Sequence, residues 1–357
     1  MFTHTRTRIV VVCLAVITPL ISHPTGVGAN APLTVGDGTP DSCTESAFSD
    51  ALSVASAKDG GMIRFSCGED PVTIVLTQVG GVLPPEDGGL LVMYDMPEHT
   101  TIDGGGLVTL AGQPQPPGPR TMFFVNSQAT VTFQNLHLST VGSVDDDGNE
   151  LFPKVAAVQN DGNLTIRNCT FSHFRGVGTY GGAVGNSGSL AVSHSAFMDN
   201  WAGDGGAIFN SGVATVTDST FSGNRGVTQS SIWNQGTFEL TNSTVVGNYS
   251  SHGRPTIWNV TRTQPACMKV NNSVISGNSG AALGQTSECA LTINNTQITD
   301  NFGSFFGGGI YMGGDVILRN STITGNTGVA WPGGIWILGG TLTLIHTDVS
   351  GNTPSDF

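Results

Sequence analysis

The chain has 357 residues, enough for one long domain or two ordinary ones. Charged residues make up only 11% of it and 50 residues are Gly, which disfavours a helical protein because Gly costs a helix about 1 kcal/mol relative to Ala. The formal net charge is −13 with only 13 Lys and Arg, which disfavours nucleic-acid binding, since phosphates require clustered basic side chains. The composition instead favours a β protein with many turns.

The first 29 residues predict a cleavable export signal. Arg6 and Arg8 give a positive start, residues 9–21 form an apolar core, and small residues at 27–29 suit cleavage before Asn30. The 13-residue core is too short to cross a bilayer. We therefore expect a secreted or cell-surface protein with no integral membrane segment after cleavage.

The cysteines predict two disulfide bonds. Six Cys minus Cys13 of the signal leaves five, and an exported chain meets an oxidising compartment. The pairs nearest in sequence are Cys43 with Cys67 and Cys267 with Cys289. Cys169 stands at a repeating small-residue position and is predicted to be a buried packing residue.

An internal repeat dominates the chain from residue 131 onward. An apolar residue closes each copy at intervals of 26, 24, 24, 30, 23, 25 and 26 residues. These closing residues are Phe171, Phe197, Phe221, Val245, Ile275, Ile298, Ile323 and Val349. From the second copy on, an Asn follows three residues later, at Asn200, Asn224, Asn248, Asn278, Asn301, Asn326 and Asn352. Landmarks in one order with one period indicate a solenoid.

The repeat predicts an all-β fold, a single-stranded right-handed parallel β-helix with coils of roughly 25 residues. Each coil would carry about three short strands, with alternate side chains pointing into a shared core. The Asn residues are expected to adopt left-handed turn geometry and to bond one another in a ladder along the stack. Leucine-rich repeats and propellers fit less well, because the Leu signature and the four-strand blades are missing.

Three regions follow from these patterns: the signal peptide at 1–29, an N-terminal cap with irregular first coils at 30–98, and β-helix repeats at 99–357. A short amphipathic helix over Thr44 to Ala57, capped by Asp41 or Ser42, is expected to cover the first coil. At the other end, either the final residues fold across the last coil or a partner covers it.

Two families resemble this sequence. Gly205-Gly206-Ala207-Ile208 with Phe197-x-x-Asn200 resembles the repeats of polymorphic outer-membrane proteins. The Thr-Ile-Asp-Gly-Gly-Gly segment at 101–106 is similar to the pectin-lyase-like superfamily of right-handed β-helices. The resemblance implies the fold over roughly residues 60–352. Because other members of the superfamily are polysaccharide lyases or hydrolases, it also implies an enzyme as the alternative to a binding protein.

Three residues are the catalytic candidates if the protein is an enzyme. A polysaccharide lyase abstracts a proton beside a carboxylate, usually with a basic residue. Arg225 and Arg254, which could clamp an anionic sugar, and Asp204 lie in the variable segments after the Asn turns. Solvated loop charges are the favoured interpretation of all three.

Aromatic residues predict a ligand-binding stripe. Trp233, Trp258 and Trp336 each follow a landmark Ile, and Tyr311 is in the same register. If the Ile side chains point inward, these rings line one outer face, where they could stack on sugar rings or anchor a partner. Shielding by adjoining loops fits the pattern equally well.

One acidic run suggests a metal ion. Asp145, Asp147 and Asn149 place oxygen ligands at alternate positions, which suits calcium. The Gly and Glu positions of an EF-hand loop do not match, so a solvated loop is favoured. No other cofactor is expected. His194 and His346 replace an Asn or Asp of the repeat and are predicted to be outward turn residues.

The sequence thus favours a secreted or cell-surface binding, adhesion or scaffold protein whose partner is an extracellular glycan or a surface protein. The alternative is an extracellular lyase or glycoside hydrolase acting on acidic polysaccharide.

Overall fold

Parallel strands stacked coil upon coil form almost all of the described chain. The computed structural model describes residues 31–78, 81–82, 91–113, 120–144, 150–151, 154–227, 230–251, 253–261 and 265–357. The chain divides into two units, Met1–Ala31 and Pro32–Phe357, and every described element belongs to the second. This unit is a right-handed parallel β-helix of about 11 turns with one short α-helix near its N-terminal end, which confirms the predicted fold. The predicted signal peptide lies outside the described residues.

The first sheet receives two strands from each regular coil, separated by a sharp bend. Its strands are Leu33–Val35, Gly61–Phe65, Val72–Leu76, Thr100–Gly112, Thr130–Thr140, Asn163–Arg167, Thr170–Ser172, Ser189–Ser193, Ala196–Met198, Val213–Thr217, Thr220–Ser222, Thr237–Thr241, Thr244–Val246, Cys267–Asn271, Val274–Ser276, Leu291–Asn294, Gln297–Thr299, Val316–Arg319, Thr322–Thr324, Leu342–Ile345 and Asp348–Ser350.

The second sheet receives one strand from each coil. Its strands are Gly81–Val82, Leu91–Asp95, Arg120–Val125, Val155–Asn160, Val184–Asn186, Ile208–Asn210, Ile232–Asn234, Ile257–Asn259, Leu283–Gln285, Ile310–Met312 and Ile335–Ile337. The third sheet consists of Arg175–Tyr180, Trp201–Asp204, Arg225–Gly226 and Tyr249–Ser250, and its line continues in the pair Phe302–Gly303 and Thr327–Gly328. Ser143–Val144 and Glu150–Leu151 form a separate antiparallel pair.

Residues at the same position in successive coils stand directly above one another, and we call such a set a column. All eight apolar residues that close the repeats form one column, from Phe171 to Val349, as predicted. Within it, the rings of Phe171, Phe197 and Phe221 stack with centroids 5.1 and 4.8 Å apart. Each such buried side chain stabilises the fold by about 1.5–3 kcal/mol.

The Asn residues of the repeat form a buried ladder, as predicted. Each side-chain Nδ2 donates to Oδ1 of the Asn in the next coil over 2.8–3.0 Å, from Asn200 through Asn352. The expected left-handed conformation is wrong for these residues. It belongs to the residue before each of them, which is Asp199 or Asp300, at φ 55° and 57°, in two coils and Gly in the other five. That residue turns the chain so that the Asn side chain can enter the interior.

A second internal ladder was not predicted. The last residues of the second-sheet strands are joined side chain to side chain over 2.6–2.7 Å, through Asn160, Asn186, Asn210, Asn234, Asn259 and Gln285. Each is buried, so these bonds satisfy amide groups that would otherwise be costly inside a protein.

The N-terminal end is closed by an α-helix at Glu45–Ala57, after a 3₁₀ turn at Pro40–Ser42. Thr44 caps the α-helix, accepting a hydrogen bond from the Ala47 amide, so the predicted caps Asp41 and Ser42 are wrong. The helix buries Phe48 in the core. A disulfide between Cys43 and Cys67 ties this segment to the first coils, as predicted.

The last residues fold back across the final coil. The Ser355 carbonyl accepts hydrogen bonds from the Gly333 and Gly334 amides, and the Asp356 carbonyl accepts one from Ile335. The Asp356 carboxylate accepts from both nitrogens of Asn352 over 2.9–3.0 Å, taking the place of the next amide in the Asn ladder. Of the two alternatives expected for this end, the final residues folding across the last coil is the one observed.

The remaining cysteine predictions are also confirmed. Cys267 and Cys289 form the second disulfide and join neighbouring coils. Cys169 is a buried free thiol, and burial raises its pKa to about 11. A neutral, buried thiol is a packing residue and not a nucleophile.

Candidate functional site

The predicted aromatic stripe occupies the outward positions of the second sheet. Trp233 pairs with Trp258 and Tyr311 pairs with Trp336, with Gly284 between the two pairs. Of the two alternatives, exposure and shielding by adjoining loops, the structure shows shielding for three of the four rings, whereas Trp336 is half-buried. Trp233, Trp258 and Tyr311 are only 2%, 6% and 7% exposed.

The stripe is covered by segments that connect one coil to the next, one carrying Arg254 and another carrying Phe306. The Phe306 ring lies 4.9 Å from the ring of Tyr311, 5.8 Å from Trp258 and 6.1 Å from Trp336. The guanidinium of Arg254 covers Trp258 from 4.6 Å. These rings therefore form a second apolar cluster outside the shared core, and their predicted binding role stays a prediction.

A different set of side chains lines the outside of the third sheet. From Trp201 on, each member stands directly after the ladder Asn of its coil, and because alternate residues point to opposite sides, a buried Asn is followed by an outward residue. Arg175 stands at the same position after the buried Phe174. We call this set the outer column. It consists of Arg175, Trp201, Arg225, Tyr249, Ser279, Phe302, Thr327 and Thr353.

Aromatic rings recur at every second coil of the outer column, at Trp201, Tyr249 and Phe302. Tyr249 is 38% and Phe302 47% exposed, and Trp201 is half-buried. Arg175 stands before Trp201 and Arg225 between Trp201 and Tyr249, whereas Ser279 stands between Tyr249 and Phe302. Arg175 lies 5.6 Å from the Trp201 ring centroid and Arg225 lies 4.6 Å from that of Tyr249. Such contacts contribute about 0.5–1 kcal/mol at exposed sites.

The three catalytic candidates do not converge. Arg225 belongs to the outer column, whereas Arg254 packs against the covered stripe. Asp204 is half-buried and stands three residues beyond Trp201, the residue that pairs with Arg225. At about 3.3 Å per residue along a strand, its position is about 10 Å from the Trp201 position. Their predicted roles remain untested.

A Ser–His contact on the first sheet was missed by the sequence. His137 Nε2 lies 2.8 Å from Ser172 Oγ, and His137 Nδ1 lies 3.4 Å from Thr109 Oγ1. Burial, with a smaller effect from His173, lowers the pKa of His137. Ser172 is only 2% exposed, so this pair is a buried polar contact. No sequence motif marks it, because its members come from different coils.

The metal candidates Asp145, Asp147 and Asn149 lie outside the described residues. Among residues whose placement is described, no group of three or more His, Cys, Asp or Glu side chains could hold a metal ion. His194 and His346 occupy outward turns with positive φ, as predicted. His194 stands 3.9 Å from the carboxylate of Asp218 in the next coil. Within the described part of the chain, no helix is long and apolar enough to cross a membrane.

Solved structures of other proteins share this fold. The A-module of mannuronan C-5 epimerase AlgE6 from Azotobacter vinelandii aligns with 90% of this chain and 94% of its own, at 14% identity and a TM-score of 0.53. The AlgE4 A-module of the same organism aligns with 88% and 93%, at 15% identity and a TM-score of 0.51. PfbA, a surface adhesin of Streptococcus pneumoniae, aligns with 90% of this chain and 94% of its own, at 14% identity and a TM-score of 0.42. No protein-family model and no curated protein matches the chain. At these identities the likeness shows the β-helix fold alone.

Proposed function

We propose that this protein is an exported or cell-surface β-helix that binds glycans without turning them over, through the outer column. The observation that carries the proposal is the row of rings at Trp201, Tyr249 and Phe302, one in every second coil. Exposed rings in a regular row present flat apolar faces on which the C–H faces of sugars can stack. Exposure of apolar rings to water is unfavourable, and a binding surface accounts for it.

The location outside the cell is supported by the two disulfides, since such bonds persist in oxidising compartments. The predicted signal peptide points in the same direction.

A glycan array tests this proposal. We expect the purified chain to retain at least one class of glycan and the Trp201→Ala/Tyr249→Ala variant to lose that signal. Phe305→Ala is the matched control, because Phe305 is also an exposed ring but stands outside the column. Retained glycans should also be incubated with the protein, and unsaturated product followed by ultraviolet absorbance. Turnover, or an unchanged signal in the double variant, contradicts the proposal.

A further inference from the structure

We infer that the outer column takes an extended anionic polysaccharide in which acidic and neutral sugars alternate, lying along the stacking direction of the coils. This inference rests on the proposed function and adds the chemical class and orientation of the ligand. It is carried by the order of side chains in four successive coils, Arg175, Trp201, Arg225 and Tyr249.

The first step is spacing. Parallel strands stand about 4.8 Å apart, so successive positions of the column are separated by that distance and like groups by about 9.6 Å. An extended pyranose chain advances by close to one strand spacing per sugar. Such a chain laid along the column therefore meets a guanidinium at one sugar and an aromatic ring at the next.

The second step is charge. Although the chain carries 26 Asp and Glu, Arg225 is exposed and makes no ion pair with any described residue. Its guanidinium is held over the Tyr249 ring at 4.6 Å. Stacking on a ring uses the face of a guanidinium and leaves its N–H edge available for carboxylate or sulfate oxygens. The side chain is thus positioned for an anionic ligand.

The third step separates two kinds of anionic chain. The face of an aromatic ring carries negative partial charge and repels an anion. A homopolymer of uronic acid would place a carboxylate at the level of Trp201 and Tyr249 as well as at Arg175 and Arg225. An alternating chain places its acidic groups at the arginines and neutral sugars at the rings, so the column favours the alternating chain.

Binding of defined polysaccharides to the purified chain tests the inference. The probes are hyaluronan, chondroitin and heparosan as alternating chains, polygalacturonate and polymannuronate as acidic homopolymers, and cello-oligosaccharides as neutral chains. We expect at least one alternating chain to bind about tenfold or more tighter than every acidic homopolymer and every neutral chain. Its affinity should rise with length up to about four sugars, the number of coils from Arg175 to Tyr249.

Two variants separate the roles of charge and ring. Arg225→Gln should weaken binding by about tenfold and make the affinity less sensitive to salt, since one charged contact is lost. Tyr249→Ala should weaken binding with the salt dependence unchanged. Arg167→Gln is the control, because Arg167 is an exposed arginine on the first sheet.

The outcomes distinguish the two proposals. Equal or tighter binding of a homopolymer or a neutral chain, lost in Tyr249→Ala, overturns the alternating ligand and leaves the glycan-binding function standing. Failure of every probe to bind overturns the alternating ligand, and failure of the glycan array as well overturns both proposals. Tight binding of an alternating chain that Arg225→Gln leaves unchanged also overturns the inference.

Discussion

The role of an outward aromatic side chain in this molecule depends on which residues pack over it. Trp258 and Tyr249 are both aromatic and both point away from the shared core. Trp258 is covered by Phe306 and Arg254, so it stabilises the fold by burial. Tyr249 has Arg225 against its ring and remains 38% exposed. The same residue chemistry therefore serves packing in one column and is available for a ligand in another.

A buried histidine predicts one feature of the pH dependence. Burial lowers the pKa of His137 in the folded protein, and the nearby His173 adds to this. Between the unfolded value of about 6.5 and the lower folded value, the unfolded chain binds more protons, so stability falls as pH decreases through this window. The stabilising contribution of neutral His137 to the unfolding free energy is fully present at pH values above the pKa of the unfolded chain.

Urea unfolding of wild type and His137→Gln at pH 7.5 and at pH 5.5 measures this effect. We expect the wild type to lose more unfolding free energy than the variant over that interval, because the variant has no group to protonate there. The carboxylates Glu45 and Asp103, whose pKa values are lowered, contribute a loss only at more acidic pH. An equal loss in both proteins would contradict the assignment.

Among the structural elements, the Asn ladders bind coil to coil in the interior of the solenoid. Asn248 shows how: its Nδ2 donates to the Phe221 carbonyl and to Asn278. Its Oδ1 accepts from the amide and the side chain of Asn224. The same geometry in each coil fixes the register, since a one-residue slip would put Gly247 or Tyr249 in place of Asn248 and break the chain of amide hydrogen bonds.

Truncating one ladder residue should therefore be costly. In Asn248→Ala, the groups of Asn224, Phe221 and Asn278 that bond to it lose a buried partner, and we expect the unfolding free energy to fall by roughly 2–4 kcal/mol. Chemical denaturation followed by circular dichroism measures the change. Asn163→Ala is the control, because Asn163 is exposed at the start of a strand, and it should change stability by less than about 0.5 kcal/mol. Similar losses in both variants would show that the ladder contributes little.

The two ends of the described unit differ. At the N-terminal end, an α-helix and a disulfide cover the first coils. At the other end, Leu342–Ile345 pairs with a strand on one side only, and Leu344 is 39% exposed. In a solenoid each coil is stabilised mainly by its neighbours, so the coil with fewest neighbours opens first.

Hydrogen exchange should reveal this asymmetry. We expect amides in Leu342–Ile345 and Asp348–Ser350 to exchange faster than those of Val213–Thr217, in the centre of the same sheet. Protection in Gly61–Phe65, beneath the helix, should be closer to that of the central strand. Mass spectrometry of peptic fragments provides the measurement, and faster exchange at the helix-covered end than at Leu342–Ile345 would contradict this account.

The sequence by itself determined the repeat, and with it most of the fold. Stacking coils must place like residues above one another, so the column from Phe171 to Val349, the Asn ladder and both disulfides could be predicted from spacing alone. The outer column from Trp201 to Thr353 could have been found in the same way, because these members directly follow the ladder Asn residues. Only the tertiary structure decided which outward rings are covered. Phe306 reaches Trp258 and Tyr311 because a connecting segment folds over the second sheet, and the path of such a segment depends on packing that no repeat encodes. No motif in the sequence marks the Ser172–His137 contact either, since its partners are 35 residues apart and meet only where separate coils stack.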